Sequence, residues 1–223
     1  VMGSMISLTA SDRHEFSAYL SAPEGPSKGG IVVIQEIFGV NSHIKEVTDR
    51  IATAGYLAIA PALFDRIEPS INLQYDDEGV SKGRQFKDEA DANSELDVKA
   101  SIEHVRAAGN VGVLGFCWGG SLAWRVATDE ASRLAAAISY YGGELPSLAS
   151  RMAACPFMAH FGLHDGSIPE EGARAFASAQ PMVETYFYDA GHGFNCDHRS
   201  QYDASAAQTA WRRSMTFLAK HMN

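Results

Sequence analysis

The sequence predicts an α/β protein: one domain built on a mostly parallel sheet with helices on both faces. Three observations predict it. Ile31-Val32-Val33-Ile34 and Val111-Gly112-Val113-Leu114 are short apolar runs without polar alternation, as expected of strands buried on both faces. Such runs alternate with longer segments of helical periodicity, which implies strand–helix–strand crossovers. The run at 111–114 then leads into Gly115-Phe116-Cys117-Trp118-Gly119, a strand-to-helix turn with a nucleophilic side chain at its centre.

Taken in order, Ile6–Leu8 and Phe16–Ser21 read as a hairpin around Ser11-Asp12-Arg13, an antiparallel start to the sheet. Pro23 through Gly30 is turn-rich, and Ile31–Ile34 runs into Gln35-Glu36-Ile37-Phe38-Gly39-Val40. Asn41-Ser42 offers an N-cap for an amphipathic helix over His43–Ala54, stopped by Gly55. Tyr56–Ala60 is a strand closed by Pro61, and Ala62 to about Gly83 reads as a long irregular loop of functional type. Phe86–Ala108 is helical. After the turn at Cys117 and its helix come strands at Ala135–Tyr141, Phe157–Phe161 and Val183–Tyr188, with helices at Pro169–Ala179 and Tyr202–His221.

The bulk properties set bounds. A chain of 223 residues, 46% hydrophobic and 20% charged, suits a single globular domain with a sizeable core. Residues 1–4 read as a cloning remnant before a native Met5, leaving 5–223 as the domain. A net charge of −9 argues against nucleic acid and anionic membranes as partners. No apolar run reaches membrane-spanning length, and no secretory pattern follows the start. Cys117, Cys155 and Cys196 are an odd count without a disulfide framework, which suits a reducing cytoplasm. The expected oligomeric state is monomer or homodimer.

Cys117 carries the chemistry. Glycines at 115 and 119 let the backbone pass tightly around a strained central residue, and the following helix directs its N-terminal dipole at the sulfur. Without partners, a buried structural cysteine would be the simpler reading. Asp165 follows the Phe157–Phe161 strand, and His192 follows the Val183–Tyr188 strand in Gly191-His192-Gly193-Phe194. Alone, Asp165 is a turn residue and His192 a loop residue. Groups just past the carboxyl ends of strands meet above the sheet, however, so Cys117, Asp165 and His192 are placed to converge as nucleophile, acid and base. The backbone N–H groups of Ile37 and Trp118 are the expected oxyanion donors. Glu36, otherwise a solvated loop carboxylate, would lie next to Cys117.

These motifs resemble the dienelactone hydrolase family of the α/β-hydrolase fold. The likeness rests on Gln-Glu-Ile-Phe-Gly-Val at 35–40, Gly-Phe-Cys-Trp-Gly-Gly at 115–120, Asp165 and Gly-His-Gly-Phe at 191–194, and spans nearly the whole chain. The resemblance implies a Cys117 nucleophile, a His192 base oriented by Asp165, and a Glu36 that exchanges partners with the thiol on substrate binding. It implies hydrolysis of dienelactone (4-carboxymethylenebut-2-en-4-olide) to maleylacetate without metal or organic cofactor. The family holds the substrate carboxylate with two arginines, one of them four residues after the histidine. Here that position is Cys196, so Arg199 and Arg84 become the candidate clamp, with solvated surface arginines as the alternative. Tyr141 and Phe38 are candidate pocket residues, Tyr141 equally a core aromatic, and Trp124 is expected to pack on the sheet. His192, Cys196 and His198 do not match a common zinc spacing. Two other functions stay open: an esterase acting on another small activated ester, and a non-catalytic thiol sensor or ligand-binding protein.

Overall fold

The computed structural model describes residues 2–223. Eight strands form one sheet in the order β1-β2-β4-β3-β5-β6-β7-β8. The hairpin β1 (Ser4–Thr9) and β2 (Glu15–Ser21) is antiparallel, and β2 is antiparallel to β4 (Leu57–Pro61). From β4 onward every neighbouring pair is parallel, through β3 (Gly30–Ile34), β5 (Val111–Phe116), β6 (Ala136–Tyr140), β7 (Phe157–Gly162) and β8 (Glu184–Tyr188). The antiparallel start and the parallel body are those the sequence predicts.

Every residue of β3, β5, β6 and β7 is buried, which explains why β3 and β5 read as apolar runs without polar alternation. Five helices cover the sheet: α1 (Ser42–Thr53), α2 (Asp77–Val105), α3 (Trp118–Ala127), α4 (Glu170–Ala179) and α5 (Ala204–His221). Arg50 of α1 stacks on Trp211 of α5 at 3.9 Å. On the other side of the molecule, Asp91 of α2 accepts a hydrogen bond from the indole of Trp118 at the start of α3, at 2.8 Å. Trp124 packs as expected: it is fully buried and edge-on to Phe157 and Phe176.

The chain order reverses between β3 and β5. From β3 the chain crosses to β4 on one side, and α2 then returns it to β5 on the other. That reversal opens a crevice at the carboxyl ends of β3 and β5, where the Gln35–Phe38 loop and Cys117 stand side by side.

Two boundaries differ from the sequence reading. The strand β1 begins at Ser4, inside residues 1–4 set apart from the fold, and the Gly3 N–H donates to Tyr19 Oη at 2.8 Å. The segment Ala62–Gly83 is not one long loop: a 3-10 turn spans Leu63–Arg66, and α2 starts at Asp77. Gly79 and Gly83 weaken helix propensity and hide the start from periodicity. The structure supplies the start signal, because Asp76 Oδ1 accepts from Gly79 N at 2.7 Å. Gly83 is there for contact. A Cβ at 83 would lie 2.1 Å from Ile37 O, so only glycine lets α2 seat against the loop bearing Glu36 and Ile37.

Gly83→Ala is therefore expected to cost about 1–3 kcal/mol, as overpacking does, and to lower kcat/KM by displacing Ile37. Urea unfolding checks the first effect. An unchanged midpoint would mean that the helix and loop part without cost.

Candidate active site

The site starts from backbone strain. Cys117 has φ 57° and ψ −120°, an arrangement that costs a non-glycine residue about 1–3 kcal/mol. Packing on every side enforces it. A Cβ at Gly115 would lie 1.9 Å from Gly119 O, and one at Gly119 would lie 2.3 Å from Ile34 O. The Gly-x-Cys-x-Gly spacing is thus a packing requirement between β5, α3 and the end of β3. The Cys117 N–H donates to Tyr140 O at 2.9 Å, tying the turn to β6.

Above the turn, His192 Nε2 lies 3.1 Å from Cys117 Sγ, and His192 Nδ1 lies 2.6 Å from Asp165 Oδ2. Asp165 is itself fixed, its Oδ1 accepting from Ser167 N at 2.7 Å and Ile168 N at 3.1 Å. The three residues that the sequence places after β5, β7 and β8 are therefore brought into one chain of contacts. Burial alone would push the His192 imidazole down. A negative Cys117 sulfur and the Asp165 carboxylate outweigh burial and raise it to about 10.

Glu36 is 1% exposed, a buried carboxylate and not a solvated loop residue. Its Oε1 accepts from Tyr75 Oη at 3.0 Å and its Oε2 from Arg199 Nη1 at 3.2 Å. A buried carboxylate needs such partners, because leaving it unpaired is strongly unfavourable. Arg199 in turn lies over the rings of Phe38 and Tyr75, 5.2 and 5.5 Å from their centroids. Its guanidinium is held above its usual range by Glu36, against the opposing effect of burial. Asn41 Nδ2 donates to Tyr75 Oη at 2.9 Å, fixing that hydroxyl from the N-cap of α1.

A cleft of about 880 Å³ opens over these groups. Ile37, Phe38, Arg84, Cys117, Trp118, His192 and Arg199 all line it, so both expected oxyanion donors and both candidate clamp arginines face one space. Trp118 is the first residue of α3, so its N–H has no partner within the helix. Tyr141 corrects the pocket reading. It is wholly buried, absent from the cleft lining, and packs against His192 with ring centroids 5.1 Å apart. His198 turns away from His192 to pair with Glu46, so the two do not form a joint metal set with Cys196.

Three contributors escaped the sequence reading. Tyr75 lies in the segment read as a functional loop, but nothing in that stretch singles it out. Asp91 holds the Trp118 indole and also pairs with Arg125, which bridges to Glu144 at 2.6 Å. Lys87, also in the cleft lining, sits one turn after Arg84 on α2. Helical spacing could have found Lys87 had the helix start been visible.

A strand-to-helix elbow, a histidine and an acid above the carboxyl ends of a mostly parallel sheet define an α/β-hydrolase. Comparison with known proteins narrows this. The family model described as "Dienelactone hydrolase family" matches residues 16–222. A carboxymethylenebutenolidase of Pseudomonas putida is 32% identical, with 96% of this chain and 95% of the relative covered. A Synechocystis protein provisionally given the same name is 37% identical, with 89% of each chain covered. A solved structure from Klebsiella pneumoniae, provisionally named a dienelactone hydrolase, superposes with a TM-score of 0.77 at 27% identity, covering 97% and 99% of the two chains. The chain belongs to the dienelactone hydrolase family and is a hydrolase of esters or lactones.

The raised His192 has a measurable consequence. A group raised in the folded state contributes stability that is fully present below its ordinary value of 6.5 and lost as pH rises through about 10. In an NMR titration His192 is expected to stay protonated across neutral pH, and to titrate much lower in Cys117→Ala, which removes the largest raising influence. Identical titration in both proteins would contradict the ion pair.

Proposed function

We propose that the protein hydrolyses a small anionic enol ester or lactone through an acyl-enzyme on Cys117, with dienelactone, converted to maleylacetate, as the leading substrate. The observation that carries this reading is the contact chain Cys117–His192–Asp165 at the base of a cleft that Arg199 and Arg84 also line. In the first half-reaction, Cys117 Sγ adds to the carbonyl carbon. The carbonyl oxygen takes up the negative charge opposite the N–H groups of Ile37 and Trp118. The bond to the leaving oxygen breaks, His192 gives that oxygen a proton from Nε2, and a thioester remains. In the second half-reaction, His192 takes a proton from water, the hydroxide adds to the thioester, and collapse expels the Cys117 thiolate. Asp165 keeps the imidazole in the required orientation throughout. An enol ester suits a sulfur nucleophile because its leaving oxygen is stabilised.

Glu36 and Arg199 support an anionic substrate. A substrate carboxylate drawn to Arg199 competes with Glu36 for the same guanidinium, and the displaced carboxylate is then free to take a proton from any neutral Cys117 thiol. Arg84, exposed on the cleft lining, supplies a second positive group. A second reading is an esterase acting on a larger activated ester. It is favoured by the size of the cleft, about 880 Å³, of which a single-ring lactone fills a small part, and by Cys196 standing four residues after His192. A reducing compartment such as the cytoplasm fits the free cysteines Cys117, Cys155 and Cys196. No helix among the described residues is long and apolar enough to cross a membrane.

Steady-state hydrolysis of cis- and trans-dienelactone beside p-nitrophenyl acetate tests the proposal. Cys117→Ala is expected to lose at least about 10³-fold in kcat, the scale of removing a catalytic nucleophile. Arg199→Gln is expected to raise KM for the dienelactones much more than for the neutral ester. Full activity in Cys117→Ala would overturn the mechanism, and turnover of the neutral ester alone would favour the second reading.

A further inference from the structure

Outside the cleft, four potential ligands converge where α1 meets the segment following His192. His43 and Glu46 lie three apart on α1 and so share a face. Asp197 and His198 come from the segment after His192. The four offer ligand atoms that all lie within 4.8 Å of one another. His198 Nε2 is 2.8 Å from Glu46 Oε2 and 3.6 Å from Asp197 Oδ1, and His43 Nδ1 is 3.6 Å from the same Asp197 oxygen. Ligands of a tetrahedral zinc ion at bond lengths of about 2.0–2.2 Å stand roughly 3.3 Å apart. The observed separations bracket that value.

His43 is the observation that marks this as more than a surface charge cluster. Its side chain is 4% exposed, its Nε2 is buried with no hydrogen-bond partner, and its Nδ1 faces Asp197 at 3.6 Å, too long for a hydrogen bond. A buried imidazole left this way lacks the partners that folded proteins normally supply. A cavity of about 80 Å³, lined by His43, Glu46, Asn195 and Asp197, adjoins it and leaves room for a water ligand. Asn195 Nδ2, also buried and unpartnered, lies on the same lining.

We propose that His43, Glu46, Asp197 and His198 bind a divalent transition-metal ion of the zinc class. Two imidazoles and two carboxylates form a nitrogen–oxygen set suited to such an ion. The ion would fasten α1 to the segment that carries His192 and Arg199, so its effect on the enzyme is to hold that segment in place and not to take part in ester chemistry. A ring nitrogen of His43, a Glu36 carboxylate oxygen and Cys196 Sγ also lie within 4.8 Å of one another, so the outer face of His43 would hold metal while its inner face borders the buried Glu36.

Zinc titration by calorimetry, together with cobalt absorption spectra, tests the site in the full chain. Wild type and Cys117→Ala are both expected to bind one zinc ion in the micromolar range and to gain Tm with added zinc. His198→Ala and Glu46→Gln, both surface changes, are each expected to weaken binding at least tenfold and to remove the Tm gain. Bound cobalt is expected to lack a thiolate charge-transfer band. The proposal is overturned by zinc binding that neither surface variant weakens, by a cobalt thiolate band, or by no saturable binding below millimolar zinc.

Discussion

The structure depends on the close approach of three backbone segments at the carboxyl ends of β3 and β5. The end of β3 passes so near α3 that position 119 has no room for a side chain, and α3 turns so tightly on β5 that position 115 has none either. This crowding holds Cys117 at φ 57° and lifts its sulfur out of the sheet. The same crowding brings the loop after β3 alongside the N-terminus of α3, so Ile37 and Trp118 line one cleft. Strain in one residue is offset by the burial of whole strands around it. A site on such a frame needs little rearrangement to act.

Two sets of charges meet over that frame, and the packing keeps them apart. One is Cys117, His192 and Asp165, in line and anchored by the backbone N–H groups of Ser167 and Ile168. The other is Glu36 with Arg199 and Tyr75, of which Arg199 reaches the cleft lining. In water neither set would hold together against thermal motion. In the protein the low dielectric strengthens each pairing, and desolvation makes an unpaired charge so unfavourable that each group stays with a partner. In the proposed reaction, a substrate carboxylate would change the pairing of the second set and leave the contacts of the first in place.

Much of this was legible in the chain. Unbroken apolar runs revealed β3 and β5, since a strand buried on both faces has no polar alternation. Gly115, Cys117 and Gly119 revealed the elbow because steric exclusion acts within a few residues. Asp165 and His192 were visible by their positions after strands. Less legible were contacts between distant segments. Gly83 looked like a helix breaker until Ile37 O was seen beside it, and its presence hid the first turns of α2. Tyr75 and Asp91 carry no local mark of their roles; each acts through a partner far along the chain, Glu36 for one and Trp118 for the other.

By itself the sequence determined the alternation of strands and helices, the elbow at Cys117, and the placing of Cys117, Asp165 and His192 after strands of the sheet. These follow from rules of short range: periodicity, turn sterics and the placement of loops at strand ends. Only the tertiary structure decided that Glu36 bonds to Arg199 and Tyr75, that Tyr141 backs His192 without lining the cleft, and that His43 and His198 face a common point with Glu46 and Asp197. The physical reason is that a buried polar side chain takes whichever partner the packing brings within about 3 Å, and that choice is made by the meeting of segments, not by their spacing along the chain.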